Sequence, residues 1–182
     1  MNLISAGLIR VKQGLVTVFS KLRWGRALSV SGLFKKRNDT QIIISGGGKM
    51  VLKRGVSFKR NVSLTATAGG VLQIGEGVSF NRNCIVICRN EIRIEDGTIF
   101  GPNVAVYDHD HVYSKEGILP GYKNGSVVIE KGCWIGAGAI ILRNTHIGEG
   151  CVIGAGTVVK GDIPAHSLVT GERKVTIAPI ES

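Results

Sequence analysis

Residues 126–159 read SVVIEKGCWIGAGAIILRNTHIGEGCVIGAGTVV. Ile129, Ile135, Ile141, Ile147, Ile153 and Val159 return in it at six-residue steps. Working outward toward the N-terminus, the same step recovers Leu52, Phe58, Leu64, then Ile74, Phe80, Val86, then Ile94, Phe100, Val106. All fifteen positions are apolar in a chain that is 43% hydrophobic. Chance would give that on the order of a few times in a million, before allowing for the choice of register. The period therefore needs a structural cause, and period-two alternation in ordinary strands does not explain why six recurs.

A six-residue apolar repeat is the signature of a β-helix: each hexad is a short strand plus a turn, and three hexads close one triangular coil. Ladder residues of successive coils stack inside, so each coil buries its apolar face only against its neighbours. Four residues after most ladder sites stands a small or β-branched residue: Val56, Val62, Ala68, Val78, Cys84, Thr98, Val104, Cys133, Ala139, Thr145, Cys151 or Thr157. Asn90, Asp110 and Ile163 depart from this. The small sites are expected to face inward, which makes Cys84, Cys133 and Cys151 reduced core residues. The four cysteines form no CxxC pair and no zinc-type spacing with histidine. The fold class is thus all-β, a solenoid of hexapeptide coils.

The register also locates added residues. Four enter between Leu64 and Ile74, two between Val86 and Ile94, and seventeen between Val106 and Ile129. The first two read as corner bulges and the third as a loop extruded over about 108–126. That loop, DHDHVYSKEGILPGYKNGS, carries two of the chain's four histidines.

Charge is divided unevenly. Residues 1–60 hold thirteen Lys or Arg and a single acid, Asp39, whereas residues 61–182 hold ten basic and twelve acidic residues. The net +10 therefore belongs to the N-terminal part. Ile4, Leu8, Val11, Leu15, Val18 and Leu22 follow helical spacing, with Arg10, Gln13, Thr17 and Lys21 opposite. Trp24 and the cations Arg23, Arg26, Lys35, Lys36 and Arg37 follow. Residues 1–40 are expected to form a basic amphipathic helical segment. It would meet the inner face of an anionic membrane or pack on a protein surface. No apolar run is long enough to span a bilayer, no signal-peptide pattern is present and no nucleic-acid motif accompanies the basic residues. Residues 41–172 are the solenoid domain and 173–182 a tail.

The hexads, with VVIEKGCWIGAGAIILRNTHIGEGCVIGAGTVVKGDIPAHSLVTGE following a histidine-bearing loop, resemble the hexapeptide-repeat acyltransferases over roughly residues 50–174. The branch they are most similar to is the maltose/galactoside and polysaccharide O-acetyltransferases. The resemblance implies a left-handed parallel β-helix and a homotrimer with active sites between adjacent subunits. It also implies acetyl-coenzyme A as donor, and the four cysteines, read as reduced core residues, point to a cytoplasmic protein. A sugar hydroxyl attacks a thioester only with a positioned base, and histidine is suited to that at neutral pH. Matching the family's loop pattern makes His109 the base and His111 the fallback, with Asp108 or Asp110 orienting the ring. His146 and His166 are expected to be structural.

Asn81 matches an asparagine that lines the acyl and acceptor site, and Trp134 a tryptophan close to it. Either equally suits an ordinary corner or surface role. For the donor, the resemblance sets the backbone of Ala137 and Ala155 along the pantetheine arm. Lys160, with Arg173 or Lys174, would pair with the phosphates. TGERKV stands where the family has a GVPAR-like sequence, leaving the last two open. Where the maltose/galactoside branch has acidic residues, this chain reads CIVICRNEIRIE, with Arg89 and Asn90. That departure, with the basic N-terminus, favours a glycan acceptor larger than a free sugar, carried on a lipid. No metal is expected. Two other classes stay open: N-acetylation of a nucleotide-linked amino sugar, and a gamma-carbonic-anhydrase-like metal enzyme, for which a third histidine ligand lacks spacing.

Overall fold

The computed structural model describes residues 25–35 and 39–171. The expected amphipathic stripe from Ile4 to Leu22, together with Trp24, Lys36, Arg37, Arg173 and Lys174, lies outside the described residues.

The chain winds into an all-β parallel solenoid of about six turns. Its strands stack in three columns. The first face holds Leu28–Val30, Lys49–Leu52, Val71–Ile74, Glu91–Ile94 and Ser126–Ile129. The second holds Ser57–Phe58, Ser79–Phe80, Ile99–Phe100, Trp134–Ile135, Val152–Ile153 and Leu168–Val169. The third holds Gln41–Ile44, Ser63–Ala66, Ile85–Cys88 and Ala105–Tyr107. The longer strands Ile140–Ile147 and Val158–Ile163 turn the corner, pairing with the third face at one end and the first at the other.

All fifteen ladder residues are buried. Six residues per face leave alternate side chains inward, so the burial pattern of Val71–Ile74, for example, ends on a buried Ile74 after an exposed Gln73. Phe58, Phe80 and Phe100 stack along the axis at centroid separations of 5.6 and 4.6 Å, and Phe34 meets Phe58 edge-on at 6.2 Å. Ile135 and Ile153 follow them in register.

The small-residue sites are also buried, with one correction. Ala68 is exposed, because the four added residues after Ala66 carry it off the six-residue step to the outside of a corner. Cys84, Cys133 and Cys151 are free and buried, and their Sγ atoms donate to the carbonyls of Gly101, Gly148 and Pro164 in the next coil at 3.1, 3.2 and 3.0 Å. Burial pushes the Cys84 and Cys133 thiols up, so they stay protonated donors.

The solenoid also starts earlier than residue 41. Leu28–Val30 is a strand paired with Met50–Leu52, and Phe34 is fully buried. The expectation of a helical segment reaching residue 40 fails here. Leu28, Val30 and Phe34 complete the ladder by capping its first coil. Among the described residues the only helix is the 3₁₀ turn Gly25–Ala27, and no helix is long and apolar enough to cross a membrane.

The corner between the second and third faces carries asparagines in the left-handed region: Asn61, Asn83 and Asn103, at φ 56°, 59° and 60°. Asparagine tolerates that conformation better than other side chains. Their amides bond to one another at 3.1 and 3.0 Å. In the next two coils Gly138 and Gly156 take the same place.

Candidate active site

All the added residues fall at one corner, between the third and first faces. The turns there are 45–48, 67–70, 89–90 and then 108–125. In the first coils the corner ladder is made by main chain: the N–H of Ser45 reaches the carbonyl of Ala66, and that of Thr67 the carbonyl of Cys88. One coil on, the chain leaves the solenoid at Asp108 and no main-chain acceptor lies below Arg89.

The Asp108 carboxylate takes that role. It accepts from the N–H of Arg89 at 2.9 and 3.0 Å and from the N–H of Asn90 at 2.7 Å. Its carbonyl receives the N–H of Gly125 at 2.7 Å, where the excursion returns, and the Asn90 amide donates to the Gly125 carbonyl at 2.8 Å. The insertion is therefore tied at its root by one buried side chain, 0% exposed. A Cβ at 125 would meet the end of the Asn144 side chain of the coil below, which would have to shift to admit it.

The insertion is not a plain loop. His109–Ser114 and Gly117–Asn124 form an antiparallel hairpin with a register shift between His111 and Val112. Strand alternation places Tyr107, His109 and His111 on one side and Asp108 and Asp110 on the other. That signal is legible in YDHDHVY once the stretch is read as a strand.

His109 Nδ1 lies 2.9 Å from Asp108 Oδ1, and its side chain is 13% exposed. An ionised carboxylate only accepts, so in this pair Nδ1 is the protonated nitrogen and Nε2 of the neutral ring carries the lone pair. The Tyr122 ring stands 5.4 Å from the His109 ring and 4.8 Å from that of His111, which is exposed. Of the two aspartates that sequence left open, Asp108 contacts His109, and Asp110 pairs with Arg143 of the following coil. Behind them Cys88 is buried, and burial together with the Asp108 carboxylate pushes its thiol strongly up.

The other sequence-derived residues are elsewhere. Asn81, Ala137 and Ala155 share the corner between the second and third faces, where successive coils bond Asn81 N–H to Phe100 carbonyl and Gly101 N–H to Ile135 carbonyl. Asn81 Oδ1 accepts the N–H of Arg82 at 2.9 Å. Ala137 and Ala155 are exposed beside Gly138 and Gly156, so this edge has bare main chain. Trp134 is 56% exposed on the second face, in a row with Ile99 and Leu168 at 53% and 71%. Lys160 is exposed on the hairpin's corner. Within one chain the His109–Asp108 pair is thus not joined to Asn81, Trp134 or the two alanines. His146 bonds Glu130 at 2.9 Å, and His166 sits in a turn at φ 60°. Sequence reasoning missed Tyr122 and Arg143, which lie thirteen and thirty-four residues from His109. Among the described residues no group of three His, Cys, Asp or Glu side chains is arranged to hold a metal ion.

Asp108→Asn puts an amide NH₂ among N–H donors. The expected result is a loss of about 1–3 kcal/mol in unfolding free energy and a fall in kcat on the order of 10²-fold as the ring loses its tautomer. Denaturant titration and steady-state kinetics measure the two effects separately.

Comparison with known proteins gives a consistent picture. Residues 126–161 match the family model of the bacterial transferase hexapeptide, six repeats. Nodulation protein L of Rhizobium meliloti is 42% identical over 89 residues, covering 48% of this chain and 49% of that protein. The galactoside O-acetyltransferase of Lactococcus lactis is 35% identical over 82 residues, covering 44% of this chain and 40% of that protein. The chain spans at most about half the length of these curated relatives. Among solved structures, a hexapeptide-repeat acetyltransferase of Vibrio cholerae superposes with a TM-score of 0.57 at 23% identity, covering 69% of each chain. A variant of AntD, an N-acyltransferase of Bacillus cereus crystallised with coenzyme A and an amino-sugar nucleotide, superposes at 0.62 with 19% identity over 90% of this chain and 89% of its own. The two structures share the fold. With the repeat and the buried ladder, these matches show a chain that carries the bacterial transferase hexapeptide over residues 126–161 and is similar to hexapeptide-repeat acetyltransferases in sequence and fold.

Proposed function

We propose that the protein is an acetyl-coenzyme A-dependent O-acetyltransferase acting on a sugar hydroxyl. The observation that carries this reading is the His109 ring, bonded to a buried carboxylate through Nδ1 and left with its Nε2 lone pair for an incoming hydroxyl. Nε2 takes the hydroxyl proton as the acceptor oxygen forms its bond to the thioester carbonyl carbon. The carbon–sulfur bond then breaks, and the imidazolium returns the proton to the leaving sulfur. Asp108 holds the tautomer and stabilises the transient positive ring.

Relatives with the same repeat support the donor: the Vibrio cholerae protein was also crystallised with acetyl-coenzyme A, and the Lactococcus lactis relative is named for transfer to a galactoside. The bare edge at Ala137 and Ala155 suits a narrow pantetheine arm. Lys160, with Arg173 or Lys174, would meet the phosphates as point charges. Asn81 and Trp134 complete the acceptor and acyl site from a neighbouring subunit of a homotrimer. This arrangement accounts for their separation from His109 within one chain, and the winding is left-handed.

The test is acceptor-dependent thiol release from acetyl-coenzyme A by the purified protein. Failure with neutral, acidic and amino sugars alike, both free and lipid-linked, refutes the assignment, and activity with amino sugars alone makes it an N-acetyltransferase. The acceptor is a surface-polysaccharide unit on a lipid carrier at the cytoplasmic face, a reading supported by the cations of residues 1–60. Deleting residues 1–24 is expected to abolish flotation with anionic vesicles, and unchanged flotation would refute the lipid part.

A further inference from the structure

Arg89 has an unusual position. Its main-chain N–H helps hold Asp108, and its guanidinium carbon lies 3.6 Å from the centroid of the Tyr122 ring. The Nε is shielded from solvent and has no hydrogen-bond acceptor. Among the described residues no carboxylate pairs with this guanidinium. The acids around it are otherwise engaged or lie apart: Asp108 is enclosed by N–H donors, Asp110 pairs with Arg143, and Glu116 pairs with Lys115. Glu91, on the outer side of the adjoining strand, makes no ion pair with it. Lys123, on the returning hairpin strand, lies 5.2 Å over the Tyr113 ring and likewise has no carboxylate.

A guanidinium with a desolvated Nε and no counter-charge costs free energy that a cation–π contact offsets only in part. The fold keeps that cost beside the base, because the Tyr122 ring that Arg89 covers is also in contact with His109 and His111. The planar fork of arginine fits carboxylate and phosphate oxygens with two parallel hydrogen bonds. Resting on the acetyl-transfer assignment above, the geometry points to Arg89 as an acceptor-binding residue that selects an anionic sugar, one bearing a carboxylate or a phosphate near the hydroxyl to be acetylated. Tyr122 positions the guanidinium and gives the sugar ring an aromatic edge.

The experiment compares three acceptors at saturating acetyl-coenzyme A: a neutral methyl hexoside, the matching methyl hexuronide and the matching hexose phosphate. The wild type is expected to use one of the anionic acceptors at least tenfold better in kcat/KM, with the gain carried by KM and reduced by added salt. The preferred anion identifies the source of the charge. Arg89→Gln keeps the main-chain N–H and is expected to bring the anionic-to-neutral ratio close to one, and Arg89→Lys to restore part of it. Equal use of all three acceptors by the wild type overturns the proposal. So does an Arg89→Gln variant that lowers all three by the same factor, which would make Arg89 only a staple for the hairpin. If no acceptor is turned over, the transfer assignment itself fails. Saturation-transfer NMR with the methyl hexuronide and the hexose phosphate then decides the role of Arg89. Binding of either that weakens at least tenfold in Arg89→Gln supports the site, and equal or absent binding overturns it.

Discussion

Replacing His109 by alanine is expected to lower kcat for acetyl transfer by a factor on the order of 10²–10⁴, the usual worth of a positioned general base. The effect should lie in kcat more than in KM for the donor, since in the proposed mechanism the imidazole acts on the hydroxyl proton. Stability is expected to change little. The His109 ring is packed against Tyr122 but lies outside the ladder, and Asp108 keeps its contacts with Arg89 and Asn90. Parallel kinetics and thermal denaturation check both halves. His111→Ala is the internal control: the ring is exposed and has no hydrogen bond to Asp108, so a loss in it as large as in His109→Ala would place the base one step further along the hairpin.

Phe80→Ala carries the largest expected cost in stability, about 3–5 kcal/mol. Phe80 is 1% exposed and stacked between Phe58 and Phe100, at 5.6 and 4.6 Å. Its truncation leaves a void facing two coils at once, and a rigid parallel stack has little freedom to collapse into it. Offset-stacked rings add about 0.5–1.5 kcal/mol per pair beyond area burial. Denaturant unfolding at fixed protein concentration measures the loss, with concentration held constant because subunit association would shift the apparent stability. The solenoid couples mainly neighbouring coils, so hydrogen exchange should rise most in the strands on either side of Phe80. An unfolding midpoint close to wild type would contradict the stacked-core description.

The two sites differ in how well they can be read from the chain. Ile135, Ile141 and Ile147 announce themselves because a repeat writes the same burial requirement every six residues, and each position corroborates the others. Asp108 has no such support. It is one of two acids in DHDH, and its importance comes from its side chain taking the acceptor role below Arg89. Arg89 stands out in sequence only as a departure from a family pattern, and its stacking on Tyr122 joins residues thirty-three apart. Ala68 shows the limit of the repeat itself: counting assigns it inward, and the added residues turn it out. The start of the solenoid was hidden for a related reason. Leu28, Val30 and Phe34 precede any complete hexad, and their burial is decided by the coil above them.

The amino-acid sequence by itself determined the parallel coil, its ladder and the point where the chain leaves it, because a six-residue apolar period admits one periodic way of burying every sixth side chain. Only the tertiary structure decided that the excursion folds as a hairpin, that Asp108 rather than Asp110 meets His109, and that Arg89 and Tyr122 flank the same ring. Those contacts depend on how far each coil has advanced when the next passes beneath it, and no local stretch of chain encodes that distance.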